Sequence, residues 1–433
     1  MIEHIKIPLV FDHPFKSNVW FPNYAGTDIN DIHRSTRFQR QIPWILQTFD
    51  PLLSVHSAHE IDNLDWFIYP VSMNEPYYQV RSLIGNYHHD YGFWSFISPP
   101  VIKSLREKKG WILIDATLEP LRDDDLANVL KAIDDCSEFP NDRILINVSS
   151  LKHVNHPQVV SLPSWLELHY CGTGIHEYKD EKKLADRRGE GIKKSWTLLG
   201  SRLFDLRSDY KPSKKRFSLF QQRWYKHVGS AVLMFLMDKA DFFKFGHVTA
   251  DELDSFSEYF VGLGGYKIWK NVGESLELKH SDDVLDPVTF VVDYQKASNL
   301  NIVVEAYYYD DVVDWSMITE KIWRNVGYRK PFIVVGQKGL LDKFHTLGYK
   351  SFHPHIDESY DREVDESRVL KAFLQIKKFI EMSEDEVKDL LLKFEDIHNH
   401  NDYNFQKRVS STYFLFLAMS KNDTDSIRQF TFS

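Results

Sequence analysis

Hydrophobic and polar positions alternate along much of this chain in a way that predicts strands and helices in turn. In the first half, GWILIDATLEP (110–120) predicts a buried strand that ends in acidic residues. RDDDLANVLKAIDDC (122–136) then predicts an amphipathic helix, and DRILINVSS (142–150) predicts a second strand. A strand, a helix and a strand within about forty residues indicate a parallel βαβ unit.

The second half of the chain repeats this alternation. A short strand and a long apolar helix are predicted over 215–240, and another strand over 300–311. The segment 316–336 then predicts a polar helix start, one amphipathic helix, a Lys-Pro break and a wholly buried short strand. After it, 340–361 predicts a helix, a Gly turn and another strand, and 365–405 predicts a pair of helices.

Both halves therefore predict an α/β fold of two facing, Rossmann-like doubly wound domains. The boundary is predicted near 208–215, where Pro212 sits among charges and turn formers. We expect an N-terminal domain over 1–210 and a C-terminal domain over 211–433 that ends in a helical tail. Ligands of doubly wound sheets bind outside the carboxyl ends of the strands, so candidate site residues are sought there.

Composition narrows the range of partners. The formal net charge of −9 gives the whole chain no attraction to nucleic acid. Basic clusters at 178–196 and 209–217 leave a local patch open, although solvated loops explain them as well. Cys136 and Cys171 are too few for a disulfide framework and wrongly spaced for zinc, which suits a reducing compartment. Since neither a signal peptide nor a membrane-spanning apolar run is found, we expect a cytoplasmic protein with no membrane partner.

The amphipathic helix of 316–336 carries the most informative polar positions. Ile318, Ile322 and Val326 lie four residues apart, so they predict the face that packs on a sheet. The positions predicted to lie on the other sides of the helix are Thr319, Glu320, Lys321, Arg324 and Asn325.

The N-terminus of this helix suits an anion. The N–H groups of a first helical turn have no partner within the helix and carry a partial positive charge, to which Lys321 adds a full one. The carboxylate of Glu320 is suited to accept two hydrogen bonds from a ribose diol. Glu305 stands at the end of a predicted strand, and Gly336 ends another, where it allows a close backbone approach. An ordinary exposed helix start explains an adjacent Glu and Lys as well.

The stretch ITEKIWRNVGYRKPFIVVGQKGLLDKFHTLGYKSFHPHIDESYD (318–361) resembles the nucleotide-sugar half of GT-B glycosyltransferases related to the α-1,3-fucosyltransferases, especially poorly described members from phages and bacteria. The shared pattern is an acid-ended strand, Thr-Glu-Lys, a helix, Lys-Pro-Phe, a hydrophobic strand and Gly. LG-aromatic-K-x-F and DESYD follow. The similarity covers about 301–368, which is under a fifth of the chain.

The resemblance implies a nucleotide-sugar pocket in which Glu320 holds the ribose and Lys321 the diphosphate. The donor-binding candidates are Glu320, Lys321, Thr319, Glu305, Arg223 and Gly336. Arg223 stands for the arginine that the resemblance leads us to expect against the diphosphate, with Arg216 and Lys226 as rivals.

Sugar transfer with inversion also needs a base on the acceptor side, which we expect in the N-terminal half. A carboxylate or histidine at a strand end is the expected type. Glu119 is the first candidate and Asp115 the second, although a Glu-Pro pair after a strand is also a common loop opening. His88 is a third candidate, in the loop GNYHHDYG, where adjacent histidines usually include one that merely packs.

The resemblance thus implies a glycosyltransferase that moves a sugar from a nucleotide-sugar donor to an acceptor hydroxyl. We expect no cofactor and no essential metal, since His353, His355 and Asp357 fit a loop better than a metal-binding strand. The acceptor is either a hydroxymethylated base in DNA or a glycan or protein. A nucleotide-sugar epimerase or hydrolase of the same fold, and an inactive nucleotide-sugar-binding protein, are the alternatives.

Overall fold

The computed structural model describes most of the second half of the chain and the strands of the first half. The described residues are 6–11, 53–72, 97, 99–117, 123–137, 139–148, 156–164, 167, 171, 215–221, 228–250, 298–305 and 318–431. Across these ranges the chain forms two parallel sheets and nine α-helices, so the predicted α/β class is confirmed.

The chain divides into two compact units. The first consists of Met1–Arg202 together with Gln406–Ser433, and the second of Leu203–Phe405. The last residues of the predicted helical tail therefore group with the first unit. In the parts of the chain that are described, no helix is both long enough and apolar enough to cross a membrane.

The first unit holds a six-stranded parallel sheet in the order β2-β1-β3-β4-β5-β6. Its strands are β1 (Ile7–Phe11), β2 (Leu53–Ser57), β3 (Phe67–Ser72), β4 (Gly110–Ala116), β5 (Ile144–Val148) and β6 (Val159–Val160). The described α-helices between these strands are α1 (Pro99–Arg106) and α2 (Asp123–Asp134). Because β4 and β5 pair in parallel on either side of α2, the predicted βαβ unit is confirmed.

Successive side chains of β4 point to opposite faces of the sheet and make different contacts there. Ile112, Ile114 and Ala116 join one apolar cluster. Trp111 and Asp115 point to the opposite face, where the indole N–H of Trp111 donates to the carbonyl of Met419 at 2.9 Å. The helix that contains Met419 thus contacts this face of the first sheet.

The second unit holds a four-stranded parallel sheet in the order β10-β9-β7-β8. Its strands are β7 (Lys215–Gln221), β8 (Gly246–Ala250), β9 (Ser298–Val304) and β10 (Phe332–Val335). Helix α3 (Val228–Lys239) follows β7 and buries Leu233, Met234 and Met237, which confirms the predicted long helix. All residues of β9 and β10 are buried, so both strands are covered on both faces, although β10 stands at the end of the described strand order.

The helices after β9 differ in part from the prediction. They are α4 (Glu320–Gly327), α5 (Leu340–Thr346), α6 (Asp365–Glu381), α7 (Glu384–Lys393), α8 (Glu395–Ser420) and α9 (Thr424–Thr431). The predicted pair over 365–405 is wrong because three helices occupy this region, the second of which starts at a capping box between Ser383 and Glu386. The predicted strand at the end of 340–361 is also wrong, since turns and a 3₁₀ helix (Glu358–Arg362) stand there.

Candidate functional site

Helix α4 begins at Glu320 because Thr319 caps it. Thr319 has extended backbone geometry, and its Oγ1 accepts a hydrogen bond from the N–H of Lys321 at 3.3 Å. The start lies a few residues later than the segment 316–336 suggested. The helix buries Ile318, Ile322 and Val326, as the four-residue spacing predicted.

Glu305 lies next to this cap, directly after β9. Its N–H donates to the carbonyl of Val335 at 2.9 Å, which continues the pairing of β9 with β10. The hydroxyl of Thr319 donates to Glu305 Oε2 at 2.6 Å, and the Thr319 N–H donates to Oε1 at 3.4 Å. Only 2% of the Glu305 side-chain surface is exposed. Glu305 therefore ties the carboxyl end of β9 to the first turn of α4.

Lys321 places a positive charge over the same two residues. Its Nζ lies 3.4 Å from Thr319 Oγ1 and 3.7 Å from Glu305 Oε2. A quarter of the side-chain surface, 25%, remains exposed. The ammonium group is thus held by a buried carboxylate and can still be reached by a ligand from solution.

Gly336 lies against the Cβ and Cγ atoms of Glu305. A Cβ at this position would lie 3.2 Å from Glu305 Cβ, 3.3 Å from Glu305 Cγ and 2.9 Å from Leu340 Cδ2. Only glycine lets β10 and the Glu305 side chain approach so closely. The structure therefore brings together four of the six donor-binding candidates: Glu305, Thr319, Lys321 and Gly336.

Beneath α4 lies a buried polar network that sequence reasoning missed. The side-chain amide of Asn301 donates to Asn325 Oδ1, and the side-chain amide of Asn325 donates to the carbonyl of Lys321 at 2.8 Å. Ser298 Oγ donates to Asn301 Oδ1 at 2.9 Å, and Ser218 on β7 bonds the same oxygen. In the sequence, the polar Asn301 within the apolar strand LNIVV could have indicated this network. The network fixes the rotation of α4 on the sheet and hence the direction in which Lys321 leaves the helix.

Besides the cap residue Thr319, two positions assigned to the outer sides of α4 are buried. Asn325 is fully covered, and Arg324 is 8% exposed. Periodicity separates the apolar stripe from the remainder of a helix, but it does not show that a second face is covered. Here the asparagine network covers part of that second face.

The next helix along the sheet edge begins differently. The Asp361 carboxylate accepts from the N–H groups of Leu341, at 2.9 Å, and of Asp342 in the first turn of α5. The Asp361 carbonyl accepts from Gly339 N–H at 2.8 Å. Burial raises the pKa of Asp361 to about 7, although the hydrogen bonds from the N–H groups of Leu341 and Asp342 lower it. The chain therefore supplies its own acid to the N-terminus of α5.

Asp115 lies at the carboxyl end of β4 in the first unit. Its Oδ1 accepts from Thr117 Oγ1 at 2.8 Å, Thr117 N–H at 3.2 Å and Asn147 Nδ2 at 3.4 Å. Burial raises the pKa of Asp115 to about 6, although the bonds from Thr117 and Asn147 lower it. This carboxylate can gain and lose a proton near neutral pH. Asn147 was missed, although it occupies the matching position of the neighbouring strand.

The remaining candidates lie outside the described residues. They are Arg223, Glu119, His88 and the side chain of Glu320, whose backbone begins α4. His353 and His355 lie in turns, and Asp357 caps the 3₁₀ helix that starts at Glu358, so none of the three lies on a strand. Within the described ranges, no group of three or more His, Cys, Asp or Glu side chains is arranged to hold a metal ion.

No protein-family model, no curated protein and no solved structure matches the chain.

Proposed function

We propose that this protein is a glycosyltransferase that takes its sugar from a nucleotide-sugar donor bound at the first turn of α4. The observation that carries the proposal is the position of Lys321, whose partly exposed ammonium group is held beside buried Glu305 and Thr319 at the carboxyl edge of a parallel sheet. This edge is where α/β folds bind their ligands.

The placement of Lys321 is unfavourable for the isolated helix. The N-terminus of a helix carries a partial positive charge, so a cation there costs about 0.3–1 kcal/mol where an anion would gain as much. Residues that break a local rule of stability tend to serve function. In this proposal the diphosphate of a donor adds negative charge beside the Lys321–Glu305 pair and contacts both the ammonium group and the first turn of the helix.

The same groups suit the chemistry of sugar transfer. When the bond between the anomeric carbon and the diphosphate breaks, negative charge develops on the leaving oxygen. A fixed cation and a helix N-terminus stabilise that charge without a metal ion. The ribose is assigned to Glu320 by the resemblance of the segment Thr-Glu-Lys, and that assignment stays a prediction.

The GT-B arrangement is part of the proposal. It assigns the donor to the four-stranded sheet of the second unit and the acceptor to the six-stranded sheet of the first. Asp115 stays the predicted base among the described residues, because its pKa of about 6 suits a proton acceptor; only 5% of the residue is exposed, so an acceptor hydroxyl reaches it only if this strand end opens. The proposed acceptor is a modified DNA base or a glycan.

A thermal-shift screen with UDP-, GDP- and CMP-sugars tests the donor site. We expect one donor class to stabilise the wild-type protein, and we expect Glu320→Ala and Lys321→Ala to abolish the shift. Lys393→Ala is the matched control, because Lys393 is an exposed lysine in the last turn of α7. If no donor stabilises the protein, or if Lys321→Ala responds like wild type, the proposal is wrong.

Release of the free nucleotide separates the activities that share such a site. Release that requires hydroxymethylated duplex DNA or a glycan supports a transferase and identifies its acceptor. Release of equal rate without any acceptor indicates an epimerase or hydrolase. Stabilisation by a donor without any release indicates a binding protein.

A further inference from the structure

We propose that Glu305 is a positioning residue that holds Thr319 and Lys321 in place for the donor diphosphate and does not itself bind the donor. The inference rests on the proposed function and changes the role expected for Glu305 from the sequence, which was membership of the donor pocket. Three features of the site support it.

The first feature is the burial of the carboxylate. Glu305 exposes 2% of its side chain, and each of its oxygens accepts a hydrogen bond from Thr319. Its Cβ and Cγ pack against the space that Gly336 leaves open. A ribose diol needs an accessible carboxylate, so the covered position of Glu305 argues against a direct contact with the donor.

The second feature is the direction of the Thr319 hydroxyl. A hydroxyl has one proton to donate and two lone pairs to accept. Glu305 takes the proton at 2.6 Å, so the lone pairs are left for the backbone N–H of Lys321 at 3.3 Å and its Nζ at 3.4 Å. The carboxylate thereby turns Thr319 into an acceptor for both groups of Lys321.

The third feature is charge. Glu305 Oε2 lies 3.7 Å from Lys321 Nζ, so the buried carboxylate restrains the ammonium group of an otherwise mobile side chain. Fixing a long side chain before the ligand arrives removes an entropic cost of binding. The expected contribution of Glu305 is therefore to the diphosphate part of the donor alone.

The test compares ligands with and without the diphosphate. We would measure the affinity of wild type and Glu305→Gln for UDP and GDP by calorimetry, and for uridine and guanosine by ligand-observed NMR. We expect Glu305→Gln to weaken the preferred nucleoside diphosphate about tenfold and to leave the matching nucleoside unchanged. Equal weakening of both ligands would make Glu305 a ribose ligand, and no change in either would remove its role; each result overturns the inference.

A second pair of variants guards against misfolding of Glu305→Gln. Thr319→Ser keeps the hydroxyl and is expected to bind the diphosphate like wild type, whereas Thr319→Val is expected to lose about tenfold. Equal affinity of these two variants would also overturn the inference. Glu366→Gln, at an exposed position of α6, controls for the loss of one negative charge.

A double-mutant cycle shows whether Glu305 acts through Lys321. In a Lys321→Met background, Glu305→Gln should have no further effect on diphosphate affinity, because the group that it positions is gone. Additive losses would contradict positioning. Absence of nucleotide binding to the wild-type protein would refute the proposed function itself, and this outcome is distinct from all the others.

Discussion

Two helices begin at the same edge of the four-stranded sheet, and their first turns are completed in opposite ways. Helix α5, after β10, receives the carboxylate of Asp361 on two of its N–H groups. Helix α4 is capped by the neutral hydroxyl of Thr319 and carries the cation of Lys321. In α5 a carboxylate of the chain accepts directly from the first-turn N–H groups, whereas at α4 the carboxylate of Glu305 accepts from Thr319 and lies beside Lys321. Similar backbone positions thus differ in the charge that they present, and under the proposed function only α4 binds the donor.

The largest expected difference between the two helix N-termini is in nucleotide affinity. Replacing Lys321 by Met should weaken binding of UDP or GDP about thirtyfold, which corresponds to about 2 kcal/mol for a charge-assisted contact. Asp361→Asn, which changes the carboxylate on the first turn of α5, should leave this affinity unchanged. Calorimetric titration of both variants measures the contrast. A similar loss in both would mean that the two N-termini are not functionally distinct.

A somewhat smaller effect is expected on stability at α5. Asp361→Ala removes an acceptor of first-turn N–H groups and should lower the free energy of unfolding by about 1–2 kcal/mol. Denaturant unfolding with the wild-type protein as reference measures the change. A loss that disappears when a nucleoside diphosphate is added would place the ligand at α5, against the proposal.

The same residue should make stability depend on pH. The pKa of Asp361 is raised from 3.8 to about 7 in the folded protein, so the native state binds the proton more tightly than the unfolded state. Its contribution is fully present below the unfolded pKa and is lost as pH rises toward about 7, by at most about 1.4 kcal/mol per pH unit. Asp361→Asn, which cannot ionise, should lack this component. Unfolding curves of both proteins across this range test the sign.

The smallest expected effects concern the two glycines of the loop between β10 and α5. Gly336→Ala brings a Cβ against Glu305 and should cost about 1 kcal/mol while also weakening diphosphate binding. Gly339→Ala meets no atom within 4 Å but has a φ of 75°, so it should cost about 1 kcal/mol by backbone strain alone. Unfolding and binding measured side by side separate the two causes. If Gly339→Ala also lowers affinity, the N-terminus of α5 contributes to the site.

The sequence predicted the parts of this site that depend on local pattern. Apolar spacing located α4 and its buried face, and the acid-ended strand located Glu305 beside it. Both patterns involve residues that are close in sequence. They hold in the structure because the apolar side of the helix packs on the sheet. The convergence of Thr319, Lys321 and Gly336 on Glu305 follows from parallel strands ending at one edge.

The parts that failed depend on contacts between distant residues or on competing local bonds. Asn301 and Asn325 bond to each other across 24 positions, and no periodicity reveals such a pair. The strand predicted after Gly348 fails because the Glu358 carboxylate accepts from the N–H of Phe352 at 2.8 Å, which closes a turn. A segment with alternating residue types resembles a strand in sequence. It does not form one when a side chain accepts the backbone N–H groups that would otherwise pair with a neighbouring strand.

The first unit is built from two stretches of chain that are far apart in sequence, because Gln406–Ser433 joins Met1–Arg202. A recombinant fragment cut once near residue 202 would therefore lack the indole contact to Met419 and the paired charges of Glu167 and Arg408. To obtain that unit by itself, an experimenter would have to fuse the two stretches or express them together.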